Sequence, residues 1–500
     1  MAKGLSKSRY TQFRLCDKAL WLSVFKPEVA VITDAQQDIF DTGSEVGDLA
    51  MGLLGDFEEM TTVASNGQLD TSAMIEKTKD ALARGVVNIC EAAFSFEGNY
   101  CAVDILHKTD AGYEIYEVKS STSPDKEIYG WDVAYQKYVL TGCGLNVTGT
   151  YLVNINNQYV LQGDLDLKQL FKITDISEAV NKEIGLVEGN VKVARNVLAG
   201  DEPDTPLSMG CHKPYDCQFW EYCTKKLPKP SVFDIHGLHF DKKIALHNAG
   251  RDTFESIRDY KLYEIQRMQV ECTLKGTESI NKAGIQAFLD QFTDRFPLYY
   301  LDFESIQPAV PIYDGTRPYQ QLTTQFSLHI QDAPHAVPRH KEFLAPSKGN
   351  PLRPVAEALC EMIPADVDVI VYNKSFECTR LRELAKMFPD LAKHLEAISA
   401  HVKDLLVPFS KGYYYLPAMG GSFSIKSVLP ALFPNDPQLD YHALDDICQN
   451  GGDAKNLFPK LQGMSSADEA KARRALLDYC CLDTLAMVKV MDKLYEAVGK

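Results

Sequence analysis

The apolar run LYYLDFE, residues 298–304, constrains this chain more than any other stretch. It has the length and content of a buried strand, yet it carries Asp302 and Glu304. Strand side chains two apart point to one face, so these carboxylates project together. A second apolar run, DVDVIVYN, ends at Tyr372-Asn373, and Phe376-Glu377 follow where a helix is expected to begin. Near the C-terminus Tyr479 precedes Asp483 by four residues, a spacing that puts both on one helix face. Carboxylates converging from three elements suit hard divalent cations, Mg²⁺ or Mn²⁺. Such a set fits two-metal chemistry on a phosphodiester, with the tyrosine orienting an attacking water.

With 500 residues, 45% of them apolar, the chain is expected to form two or three domains with ample core. No apolar run is long enough to span a bilayer, so no membrane partner is expected. MAKGLSKSRY lacks the apolar segment of a secretory signal, which predicts a cytoplasmic location. The net charge of −16 argues against bulk coating of nucleic acid but leaves room for a locally basic groove. Lys3, Lys7, Arg9, Lys225, Lys226 and Lys229 are candidates for it; each reads equally well as part of a solvated face. Most of the 13 cysteines sit singly in apolar contexts, as core thiols do. No GxxxxGK[ST] phosphate loop is present, so any unwinding calls for a helicase partner or an existing end.

KKLPKPSVFD, at 225–234, is the clearest break. The expected domains are 1–230, a helical connector at 231–292, and 293–500. Within the connector, LHNAGRDTFESIRD reads as a helical hairpin turning at Gly250. It serves either to grip a phosphate backbone or as a plain connector. The pattern from Pro297 onward is α/β. It ends in a long helix with a capping box at Ser466–Glu469 and an apolar face through Leu476, Leu477, Leu482, Leu485 and Val488.

A second acidic set lies in NYCAVDILHKTDAGYEIYEVKS, residues 99–120. The pattern predicts a β-hairpin turning at Asp110-Ala111-Gly112, with Asp104 on one strand and Glu117 and Lys119 on the other. Two carboxylates can hold a metal ion, and the lysine can position water or offset phosphate charge.

These motifs resemble two nuclease families. D-x-E at Asp302 and Glu304, Asn373 with Glu377, and Tyr479 with Asp483 resemble the DEDD exonucleases of the DnaQ-like, ribonuclease H-like superfamily, in the subclass with Tyr. Glu377 stands where that family usually has Asp. HVKDLL (401–406) and SFSIKSVLP (422–430) are similar to its middle segments, implying that Asp404 and Lys426 hold substrate. Asp104, Glu117 and Lys119 resemble the PD-(D/E)XK nucleases, with Glu91 as an upstream metal ligand and Gln136 as the glutamine of the RecB-like motif. Leu140 replaces the tyrosine usual four residues after that glutamine, although Tyr135 and Tyr138 are close. Gly47 replaces an upstream histidine. Cys16 with Cys211, Cys217 and Cys223 resembles the iron–sulfur staple of RecB-like nucleases, including CRISPR-associated and AddB-type members. That implies a [4Fe–4S] cluster; Zn²⁺ or buried free thiols are the alternatives. His212, beside Cys211, reads as an exposed loop residue.

The whole is similar to a bacterial family joining a RecB-like iron–sulfur nuclease domain to a ribonuclease H-like domain. PYQQLTTQFSLH (318–329) and GYYYLPAMGGSFSIKSVLPALFP (412–434) carry part of that resemblance. The implied fold class is α/β: a restriction-endonuclease-like N-terminal domain and a ribonuclease H-like C-terminal domain. The implied activity is 3′-to-5′ DNA exonuclease at the C-terminal site and DNA cleavage at the N-terminal one, in repair or defence. The alternatives are a nucleic-acid-binding protein with an inactive N-terminal site, and an exonuclease acting on RNA.

Overall fold

The computed structural model describes residues 4–123 and 125–500, so Lys3 lies outside the described residues. The fold is mixed α/β and divides into two compact units. One comprises Met1–Lys226 with Pro308–Tyr319, the other Leu227–Gln307 with Gln320–Lys500. The division at 226 falls close to the expected break. Residues 231–292 do not stand apart, because Ile285, Phe288 and Leu289 are buried in the same core as the C-terminal helix.

The first unit is built on a seven-stranded sheet: β1 (Leu5–Ser6), β2 (Glu58–Glu59), β3 (Asn88–Phe96), β4 (Asn99–Lys108), β5 (Tyr113–Lys119), β6 (Val147–Ile155) and β7 (Phe171–Asp175). The strand order is β2-β3-β4-β5-β6-β7, with β1 pairing alongside β4. β4 and β5 form the expected antiparallel hairpin, and β6 runs parallel to β5. Alternation along β5 divides its side chains between two cores. Ile115 packs with Val133, Ala134 and Val139 of helix Lys126–Gly142. Tyr116 and Val118 pack with Val46 and Ala50 of helix Asp34–Ala50. Glu117 and Lys119 therefore share the face of Ile115, toward helix Lys126–Gly142.

The second unit holds a five-stranded sheet: β9 (Leu298–Ile306), β10 (Leu322–Gln331), β11 (Arg339–Leu344), β12 (Val369–Val371) and β13 (Val402–Asp404). A separate small ladder pairs β8 (Ser279–Ile280) with β14 (Tyr414–Tyr415). The order is β11-β10-β9-β12-β13, antiparallel from β11 to β9 and parallel from β9 to β13. LYYLDFE thus becomes the central strand. The long helix Ser466–Val498 packs against β9, β10 and β11, burying Leu476, Leu482 and Val488.

Two local expectations shift. The cap of the long helix is Ser465, whose hydroxyl accepts from the Asp468 N–H, because Ser466 is already helical. The expected hairpin at 246–259 forms only its first helix, Phe240–Asn248, and turns at Gly250 (φ 71°), but no second helix follows at once; the next begins at Glu264. Ser256 bonds back to Thr253 through both its N–H and its hydroxyl. That local bonding favours the short turn Glu255–Ile257 over a helix. Among the described residues no helix is long and apolar enough to cross a membrane.

Candidate functional site

In the second unit β9 and the long helix bring Asp302, Glu304 and Asp483 together. One carboxylate oxygen from each lies within 4.8 Å of the others. They line a cavity of about 250 Å³ shared with Asn373, Glu377, Lys426 and Tyr479. Burial, then the charges of Asp483 and its neighbours, push the Asp302 and Glu304 carboxyls well above the usual range. Burial likewise raises Asp483. Glu377 is pushed up to about 8 by burial and by the charge of Asp404. One oxygen of Glu377 is buried without a hydrogen-bond partner. An all-oxygen set in mutual repulsion, half-buried at Asp302 and Glu304 and buried at Asp483 and Glu377, with one oxygen unsatisfied, fits divalent cations in its donor chemistry. The Tyr441 hydroxyl donates to Asp483 Oδ1 at 2.5 Å. Lys426 Nζ sits 5.0 Å from the Tyr479 ring centroid and 5.3 Å from that of Tyr441. Burial and the neighbouring carboxylates hold the Tyr479 phenol protonated.

Asn373 lines this cavity at φ 89°, a left-handed backbone that costs free energy in a non-glycine residue. Asp404 holds it there. Its carboxylate accepts from the backbone N–H groups of Asn373, Lys374 and Leu406 at 3.0–3.1 Å. Asp404 therefore anchors the start of helix Lys374–Met387.

In the first unit β4, β5 and two helices converge on Glu117, which is buried. Lys119 Nζ donates to Glu117 Oε1 at 2.7 Å and to Asp132 Oδ2 at 2.9 Å. Gln136 Nε2 donates to Glu117 Oε2 at 2.6 Å. The Val118 N–H donates to Asp104 Oδ2 at 2.6 Å. Lys7, expected on a basic groove, instead turns inward, its Nζ 2.9 Å from Glu117 Oε1 and 4.0 Å from Asp104 Oδ1. Burial alone would raise the Glu117 carboxyl, but Lys119 and Lys7 hold it well below the usual range. Asp104 is pushed up to about 6 by burial and by Glu117. Glu91, at φ 53°, is raised to about 7 by burial and by Asp104. Leu140 and Tyr135 are buried in the core, the Tyr135 hydroxyl donating to the Leu5 carbonyl. Gly47, on helix Asp34–Ala50, has open space where a side chain would stand.

The four cysteines also lie in the first unit. Cys16, Cys217 and Cys223 pack around Ala19, Leu22 and Phe219. The Cys217 N–H donates to the Cys211 carbonyl at 3.0 Å. A Cβ on Gly210, next to Cys211, would stand 2.8 Å from the carbonyl of Leu15, next to Cys16, so glycine permits this close approach. Burial raises the Cys16 and Cys217 thiols and pushes Cys223 up to about 11; the neighbouring cysteines add to each shift. Among the described residues no three of these sulfurs lie within 4.8 Å of one another. His212 is exposed and pairs with Asp216.

Sequence reasoning missed Lys7, Asp132 and Tyr441 as members of these clusters. Asp132 could have been found, since it precedes Gln136 by four on one helix face. Lys7 meets Glu117 across 110 residues of chain, and Tyr441, in the short 3-10 helix Tyr441–Ala443, meets Asp483 across 42; neither carries a local signal.

A model of a domain of unknown function (DUF2779) matches residues 299–424. That span holds β9 with Asp302 and Glu304, and helix Lys374–Met387 with Glu377. The chain is 32% identical over 178 residues to Uncharacterized protein UU173 of Ureaplasma parvum, covering 33% of this chain and 25% of that protein. It is 28% identical over 208 residues to the Uncharacterized protein MG366 homolog of Mycoplasma pneumoniae, covering 38% of this chain and 31% of that one. The chain thus spans under a third of the length of either relative. No solved structure matches it.

Proposed function

We propose that this protein is a metal-dependent nuclease whose principal centre, in the second unit, removes nucleotides from a 3′ end. The observation that carries this reading is the trio of half-buried Asp302 and Glu304 with buried Asp483, their oxygens within 4.8 Å, beside the unsatisfied oxygen of Glu377. These four carboxylates would hold two Mg²⁺ or Mn²⁺ ions. When bound, the ions supply Lewis acidity and a lowered water pKa. The Lys426 ammonium offsets phosphate charge at the cavity wall, and the protonated Tyr479 hydroxyl orients water. Tyr441 fixes the Asp483 carboxylate through its hydrogen bond.

In the first unit Asp104, Glu117, Lys119 and Gln136 form a second, RecB-like DNA nuclease centre, with Glu91 as a further metal ligand. Cys16, Cys211, Cys217 and Cys223 would hold a [4Fe–4S] cluster that ties the N-terminal helices to the 209–223 segment. Four thiolates suit such a cluster, and zinc is the alternative occupant. DNA with free ends is the proposed substrate, delivered by a helicase or already broken, in repair or defence.

One observation favours a second reading, in which the first unit binds nucleic acid without cutting it. The Lys7 ammonium lies between Asp104 and Glu117, where a metal ion would otherwise stand.

The test is a cleavage assay on anaerobically purified protein, using 5′- and 3′-labelled single-stranded DNA and matched RNA with Mg²⁺ or Mn²⁺. Asp104→Ala and Asp302→Ala variants run alongside. A ladder from the 3′ end that vanishes only in Asp302→Ala is expected for the principal centre. Residual cutting that vanishes in Asp104→Ala is expected for the second. Loss of all cutting in Asp302→Ala, with none in Asp104→Ala, would leave the first unit as a binding module. A preference for RNA would reassign the substrate, and no metal-dependent cleavage of either acid would refute the nuclease reading.

A further inference from the structure

A second cluster in the second unit has a different chemistry. His329 on β10, His340 on β11 and Cys481 on the long helix each offer one ligand atom within 4.8 Å of the others. Cys481 Sγ lies 3.9 Å from His340 Nδ1. Tetrahedral zinc with bonds of about 2.0–2.3 Å holds its ligand atoms roughly 3.3–3.8 Å apart. Small side-chain movements would therefore close this set around one ion.

The surroundings are arranged as metal-ligating histidines require. Such a histidine uses one ring nitrogen for the ion, and a second group fixes the other. Here His329 Nδ1 is 2.8 Å from Thr484 Oγ1, and His340 Nε2 is 2.9 Å from Ser327 Oγ. Ser327 and Thr484 bond to each other at 2.7 Å, so one hydroxyl pair orients both rings. A fourth donor is at hand. Glu342 Oε2 is buried without a hydrogen-bond partner, 4.0 Å from His340 Nδ1, while Arg474 takes the other oxygen at 3.4 Å. Glu342 stands opposite Ser327 in the ladder, and Ser327 opposite Asp302. Glu342 is therefore two strand spacings, about 10 Å, from Asp302.

We infer that His329, His340, Cys481 and Glu342 form a zinc site that clamps the long helix to β10 and the edge strand β11. Mixed imidazole and thiolate donors select zinc over the hard cations that suit the carboxylate cavity. Cys481 lies between Tyr479 and Asp483, so an ion here fixes the rotation and register of the helix that carries them. The site stands whether or not the protein cuts nucleic acid.

The test is metal content of the full chain after chelator treatment, ZnCl₂ addition and gel filtration in excess Mg²⁺. His340→Asn, Cys481→Ser, Glu342→Gln, Cys211→Ser and Asp302→Asn variants run alongside, with far-UV circular dichroism confirming the fold. Wild type should keep about one zinc per chain at this site. His340→Asn and Cys481→Ser should lose it, and Cys211→Ser and Asp302→Asn should retain it. Glu342→Gln should weaken it about tenfold or more. Cobalt in place of zinc should give a near-ultraviolet thiolate band that Cys481→Ser abolishes. Zinc lost only in Cys211→Ser or Asp302→Asn, or equal in His340→Asn and wild type, would overturn the site. His340 lies on an edge strand and is partly exposed, so its variant is expected to fold.

Discussion

Glu377 concentrates the electrostatics of the carboxylate cavity in one side chain. Its carboxyl is raised from 4.5 to about 8, so folding favours its protonated form. That contribution is fully present below the unfolded pKa and is lost as pH rises through about 8. Without divalent ions, wild-type stability should therefore fall between these limits. Glu377→Gln should flatten the fall, gaining at most a few kcal/mol near pH 9 at about 1.4 kcal/mol per unit. Urea unfolding in chelator, at acid and alkaline pH, checks this; equal slopes in the two proteins would refute it. Added Mn²⁺ should stabilise wild type at alkaline pH more than the variant. At the other centre Lys7 is an internal cation for Asp104 and Glu117. Lys7→Met removes a positive charge from the position proposed for a metal. It should tighten Mn²⁺ there about tenfold, a change of roughly 1.4 kcal/mol. Calorimetric titration in an Asp302→Ala background reads this change, and an unaltered affinity would count against a metal between those carboxylates.

Elements carried the legible part of both candidate sites. Asp104, Glu117 and Lys119 sit on one hairpin, and the period of two fixes which face each occupies. Tyr479 and Asp483 sit one helical turn apart, so their shared face was also readable. The hairpin expected at 246–259 was less legible, because its second helix lost to local bonds between Ser256 and Thr253 that propensity does not encode. Lys7 and Tyr441 were illegible for another reason, since tertiary packing alone brings them to Glu117 and Asp483. The turn Met209–Cys211 and helix Trp220–Thr224 are short, and a covalent or metal tie is what would hold such elements to Cys16. Cys211→Ser should lower the unfolding temperature of the first unit while leaving the second unit's transition in place. Anaerobic scanning calorimetry separates the two cases; an unshifted first transition would mean that the thiols hold nothing structural.

At the scale of the molecule, the chain does not finish one unit before starting the next. Between β9 and β10 it supplies Pro308–Tyr319 to the first unit. Ala309 and Val310 are buried there with Tyr159, Leu161 and Phe171. Leu161 and this segment exchange backbone bonds: the Leu161 N–H donates to the Thr316 carbonyl, and the Gly315 N–H to the Leu161 carbonyl, at 3.0 and 2.8 Å. The Tyr319 hydroxyl donates to the carbonyl of Ser120, next to Lys119. Residues 1–226 alone would expose this apolar surface and leave the backbone groups of Leu161 to water. Burying Val310 and its neighbours contributes on the order of 2–4 kcal/mol. The isolated 1–226 chain should therefore unfold at lower denaturant than the same chain with 308–319 fused behind a flexible linker. It should also bind more of a hydrophobic dye. Equal midpoints and equal dye binding would mean that the segment rests on the first unit without supporting it. A restored midpoint would make the connection between strands β9 and β10 a structural part of the first unit.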